Sequence, residues 1–222
     1  MPVSVDRCTL PDMTNHAPQP AEVLVLDLET TDSDPYVDHA AILEIGAILC
    51  AWAPDLPEIA RASLLVRPNG TDQDHTLMWQ AMPPVVQQMH TTNGLWKEAT
   101  TSDEAWGMGE ADTALARWIA QHTTGPVPLL GSGVGHLDQP FVKAFMPATA
   151  TRLKYWPIDI GNIRRGLDLA GRSDLVDIVG DVDAKPHRGL GDAELHLEEA
   201  RRYLRLLGRI PADAVVEDGA RL

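Results

Sequence analysis

Residues 22–29 read "EVLVLDLE": an apolar run from Val23 to Leu26, then an acid at every second position, Asp27 and Glu29. The run predicts a strand, and "AAILEIGAILCAW" (40–52) and "RASLLVRP" (61–68, ending at Pro68) predict two more. Three such segments in succession point to an antiparallel meander. Helical spacing then takes over. Met82, Val85, Val86 and Met89 form a short apolar face, and Trp106, Ala111, Leu115, Trp118 and Ile119 recur at near-helical intervals through 103–122. "VPLLGSG" (127–133) predicts a short buried strand, "DQPFVKAFMP" (138–147) a helix stopped by Pro147, "KYWPIDI" (154–160) a strand and "GNIRRGLDLA" (161–170) a helix. The segment 191–209 predicts a strongly amphipathic helix with Leu195, Ala200, Leu204 and Leu207 facing inward. Strands first clustered, then alternating with helices, give an α/β fold: a mixed sheet with helices packed against it.

A chain of 222 residues suits one substantial core. The expected organisation is a lead-in over 1–20, a domain over 21–209 and a tail over 210–222. No apolar run has the length to cross a bilayer. The N-terminus lacks the basic and apolar regions of a signal peptide, and Cys8 and Cys50 read as reduced thiols. Together these predict a cytoplasmic protein with no membrane partner. The net charge is −14, and the Lys and Arg residues are too few and too scattered to make the basic stripe by which proteins grip long duplexes. Action on nucleic acid would then need bound divalent cations and would favour short substrates.

Side chains at i and i+2 of a strand share a face, so Asp27 and Glu29 point the same way and repel unless a cation lies between them. A two-cation site needs further oxygen ligands from other elements. Asp138, where a helix follows the glycine-rich "GSGVGH", is one candidate. "HRGLGD" (187–192) offers His187 and Asp192, which can meet only if the histidine stays off the helix. Each residue also has a plainer reading. Asp27 and Glu29 could be a solvated strand end, Asp138 and Asp192 helix caps. Glu44, in an otherwise apolar strand, is a carboxylate in need of a partner, and Asp159 is a helix cap.

The order Asp27-x-Glu29, Asp138, His187-x-x-x-x-Asp192 resembles the signature of the DEDDh 3′→5′ exonucleases, the DnaQ-like group with an RNase H-like fold. Within that group the chain is most similar to the oligoribonucleases, through "DLETTD", "ILEIGAIL", "MHTTNGLW", "FVKAFMP", "YWPIDIGNIRR" and "HRGLGDAELHLEEARRY". The resemblance implies a mixed five-stranded sheet with helices on both sides. It implies that Asp27, Glu29, Asp138 and Asp192 hold two Mg²⁺ or Mn²⁺ ions, with His187 as general base, imidazole being the side chain that exchanges protons near neutral pH. Leu28, Thr30, His90, Trp96 and Ser132 become substrate-binding candidates. The implied substrates are short single-stranded RNA, or DNA, oligonucleotides, cleaved to nucleoside 5′-monophosphates by a homodimer. A proofreading or repair DNA exonuclease is the alternative within this chemistry, and a non-catalytic nucleotide- or protein-binding module the alternative outside it. Where oligoribonucleases follow the second aspartate with two arginines, this chain has Gln139 and Pro140.

Overall fold

Apolar side chains occupy both faces of β1 (Glu22–Thr30), and the strand is accordingly buried from both sides. The computed structural model describes residues 21–179 and 187–209. Its other strands are β2 (Ile42–Ala51), β3 (Glu58–Arg67), β4 (Trp106–Gly107), β5 (Leu129–Gly131) and β6 (Ile158–Asp159). They form one sheet in the order β4-β3-β2-β1-β5-β6. β1, β2 and β3 are the expected antiparallel meander, whereas β5 joins β1, β6 joins β5 and β4 joins β3 in parallel. The two-residue β4 at the edge adds a sixth strand to the five expected.

The helices are α1 (Asp72–Ala81), α2 (Pro84–Thr92), α3 (Leu95–Thr101), α4 (Met108–His122), α5 (Asp138–Phe145), α6 (Pro147–Ala150), α7 (Ile160–Leu169), α8 (Ser173–Val179) and α9 (Gly189–Leu207). They cover both faces of the sheet. Leu24, Leu26 and Leu28 meet Ala111, Leu115 and Ile119 of α4 and Phe141 and Val142 of α5. Val23 and Val25 meet Ala193, Leu197, Ala200 and Tyr203 of α9, with Ile163 of α7 packed alongside.

Several local expectations are corrected. Trp106 is 43% exposed in β4, not on a helix, because α4 begins only at Met108. Val85 is 74% exposed, so the apolar face of α2 is narrower than its spacing suggested. The strand expected over 154–160 shrinks to two residues. α9 turns Ala193, His196, Leu197, Ala200 and Tyr203 inward, leaving Leu204 and Leu207 at 37% and 39% exposure. α1, α3, α6 and α8 were not anticipated; α6 begins at Pro147, the residue expected to stop α5. α1 starts at a capping box between Thr71 and Asp74, a short polar signal with little apolar periodicity behind it.

One close approach sets where α9 begins. Gly46 lies on the α9 side of β2, and a Cβ there would stand 2.0 Å from the carbonyl carbon of Gly189. That neighbour is backbone at a helix start and cannot swing away. Gly46→Ala is therefore expected to cost about 3 kcal/mol or more in urea unfolding. An unchanged midpoint would mean that α9 shifts at little cost.

Candidate active site

The alternation of β1 decides which way its acids face. Val23 and Val25 point into the α9 layer, and Asp27 and Glu29 continue that face beyond the apolar part of the strand. Across the antiparallel pair, Asp27 is opposite Gly46 and Glu29 opposite Glu44. Gly46 leaves room for the first turn of α9, which carries Asp192. A carboxylate is favoured there by the helix dipole. Asp138 comes from the first turn of α5, just after β5, and its Oδ1 accepts the Leu28 N–H at 2.9 Å across 110 residues of chain. Asp27, Glu29, Asp138 and Asp192 are 7%, 4%, 2% and 2% exposed, so four buried carboxylates meet around the end of β1.

His187 behaves differently. It lies ahead of the helix, is exposed, and has φ +51°, a left-handed conformation uncommon outside glycine. Ligand atoms of Glu29, His187 and Asp192 lie within 4.8 Å of one another. A cavity of about 270 Å³ opens over them, lined by Asp27, Leu28, Glu29 and Thr30, by Asp32 and Ser33, by Val86, Met89 and Leu137, and by His187 and Asp192. Asp138 stands behind it, tied to the backbone of β1.

The remaining candidates divide. Leu28 and Thr30 line the cavity, although the Leu28 side chain belongs to the core. His90 is 1% exposed, and its Nε2 meets the Thr30 carbonyl at 2.9 Å, so it braces the cavity floor from behind. Burial lowers its pKa, helped by nearby His187 and opposed by the bond to Thr30. Trp96 lies outside the cavity lining, in a separate cleft against Trp79 and His75. Ser132 is also outside it, on the β5–α5 loop, close enough to α7 that a Cβ on Gly161 would be 3.0 Å from its Oγ. Gln139 is buried and donates to the Tyr155 carbonyl at 3.2 Å, which keeps its amide from the cavity.

Asp159 caps α7 as expected, accepting from Asn162 N–H, and it also accepts the Gly133 N–H of the glycine-rich loop. On the cavity rim Asp32 meets His39 at 3.0 Å. Burial works upward on Asp32, but the Asp34 N–H, the His39 ring and the Ser33 N–H outweigh it and hold the carboxyl below its ordinary value. Cys50, buried in β2, has its thiol pushed up to about 11 by burial.

The donor set fits a hard divalent cation. It is all carboxylate oxygen with one imidazole at the edge, it is buried, and no Lys or Arg among the described residues lines the cavity. Two contributors escaped the sequence reading. His196, one turn beyond Asp192, is buried with Nδ1 3.7 Å from Asp27 Oδ1, and its i+4 spacing was the available signal. Arg188, hidden inside the His187 motif, is the partner that Glu44 needed.

No family model matches the sequence. Among curated proteins it is similar to the oligoribonucleases of Nocardia farcinica (36% identical over 86 residues), Rhodococcus jostii (34% over 86) and Streptomyces avermitilis (28% over 127). These matches take in 38%, 38% and 56% of this chain and span 38%, 42% and 60% of the relatives. Among solved structures it is similar to a full-length 3′-exonuclease, with TM-score 0.54 and 20% identity over 86% of this chain and 63% of the other. It is also similar to E. coli Exonuclease I in complex with a dT13 oligonucleotide, with TM-score 0.57 and 14% identity over 85% and 43%. The chain therefore has the RNase H-like fold of the DnaQ-like 3′-exonucleases, and its kinship in sequence is to oligoribonucleases.

Proposed function

We propose that this chain is a metal-dependent 3′→5′ exonuclease that removes nucleoside 5′-monophosphates from short single-stranded oligoribonucleotides. The observation that carries the reading is the meeting of buried Asp27, Glu29 and Asp192 with the exposed His187 at one cavity, with Asp138 buried behind it and no Lys or Arg among the described lining residues. Asp27, Glu29, Asp138 and Asp192 would hold two Mg²⁺ or Mn²⁺ ions, which supply positive charge to the scissile phosphate and acidify water. His187 takes the proton of the attacking water, and its exposure leaves it able to pass that proton to solvent. Val86, Met89 and Leu137 offer an apolar wall to a base or sugar, while Thr30 and Ser33 offer hydroxyls. A non-catalytic module would have no use for this complete set around one cavity.

Substrate length follows from charge. Phosphates beyond the scissile one find no Lys or Arg among the described lining residues, and the protein carries −14 overall. Long strands therefore gain little from each added nucleotide. Cations contributed by a second copy across a two-fold interface would restore some grip on a short substrate, which supports a homodimer. No helix among the described residues is long and apolar enough to cross a membrane; the kinship to oligoribonucleases supports reading 21–209 as one domain of a cytoplasmic protein.

The test is product release from labelled di-, penta- and long oligomers of both sugars, with light scattering on the same preparation. Fastest turnover per end on ribo-di- to pentamers, by a dimer, is the expected result. Preference for deoxy-oligomers would move the protein to the DNA branch. A monomer that degrades long strands efficiently would sink the short-substrate reading.

A further inference from the structure

We propose that Glu44 is a positioning residue for His187, acting through Arg188; the inference rests on the reading of His187 as the base. Glu44 is the third residue of β2, 5% exposed, among apolar neighbours and directly opposite Glu29. A carboxylate so placed is tolerable only with strong partners. It has three donors, all from the chain just past His187. Arg188 gives Nε at 3.0 Å and Nη2 at 2.8 Å, and Gly189 gives its backbone N–H at 2.8 Å. One side chain thus fixes both residues that follow the histidine, including the first of α9. The Gly46–Gly189 backbone contact beside it closes the remaining freedom of the helix start.

The other side of His187 is held as well. The Asn93 amide donates to the His187 carbonyl, and Glu98 reaches Arg188 Nη2 at 3.0 Å. Asn93 and Glu98 lie on the α2–α3 segment, whose Val86 and Met89 form the cavity wall. The left-handed His187 is therefore clamped between a strand carboxylate and the wall that would receive substrate. Catalytic groups displaced by about 1 Å can lose about 10²-fold in rate, so an anchor two residues away bears on turnover without touching substrate.

Glu44→Gln keeps the volume and removes the charge, while Glu98 still neutralises Arg188. With a fluorescent ribotrinucleotide and Mn²⁺, Glu44→Gln and Arg188→Lys are each expected to lower kcat about 10- to 100-fold, with KM and Mn²⁺ affinity unchanged. In a His187→Ala background, single-turnover rates should show no further loss on adding Glu44→Gln. Unchanged kcat, an equal loss in the His187→Ala background, or Mn²⁺ affinity falling in step with kcat would each overturn the proposal. Should Glu44→Gln lose its circular dichroism signature, the half-exposed Arg188→Lys decides alone. Full activity of His187→Ala by itself would instead show that the assignment of the base is wrong.

Discussion

Replacing His187 by alanine is expected to lower turnover about 10²–10⁴-fold while leaving divalent-ion and substrate affinity nearly intact. The reason is its place in the site. The four carboxylates are buried, whereas the histidine stands exposed at the cavity mouth, ahead of α9 and not within it. A buried ligand is needed to hold charge together; an exposed base is needed only when water is activated. Asp27→Ala should therefore differ in kind, losing ion affinity and turnover together. Isothermal titration with Mn²⁺ beside kcat on a short ribo-oligomer separates the two. Equal loss of ion affinity in both variants would make His187 a ligand, an arrangement its 4.8 Å proximity to Glu29 and Asp192 also permits.

Chelation should have the larger effect. EDTA is expected to reduce hydrolysis to background, and added Mg²⁺ or Mn²⁺ to restore it, because a set of carboxylate oxygens is suited to hard divalent ions and the ions would carry the chemistry at the phosphate. A second readout does not depend on activity. Mutual repulsion among Asp27, Glu29, Asp138 and Asp192 should be relieved on loading, so Mn²⁺ is expected to raise Tm in calorimetry, by mass action on the folded state. Activity that persists in chelator, with no shift of Tm, would overturn the metal-dependent reading.

The parts of this molecule that were legible in sequence are those written within a few residues. β1 could be read because its apolar run ends in an i, i+2 acid pair, and the meander because three apolar segments follow in sequence. The convergence of Asp27, Glu29, Asp192 and His187 on one cavity could be read only from their order, since no local pattern brings residues of β1 to α9. Pairings across long stretches of chain were opaque. Glu44 was visibly in need of a partner, but Arg188 lies 144 residues away. Trp96 and Ser132 sit in motifs near the site in sequence, yet side-chain direction, which motif spacing does not encode, sends one to a separate cleft and the other toward α7. The inward face of α9 was misjudged for a related reason. His196 and Asp192 are polar but buried, so hydrophobic spacing alone pointed to Leu204 and Leu207.

The seating of α9 on β2 also bears on how the protein is born. Glu44 and the Gly189 it anchors are separated by 145 residues. At ribosomal speeds of about 5–20 residues per second, Glu44 is made roughly 7–30 s before Gly189. During that interval the nascent chain has the strand acids Asp27 and Glu29 but neither Asp192 nor His187. On the reading proposed above, the site stays incomplete until α9 has been made and has docked on β2.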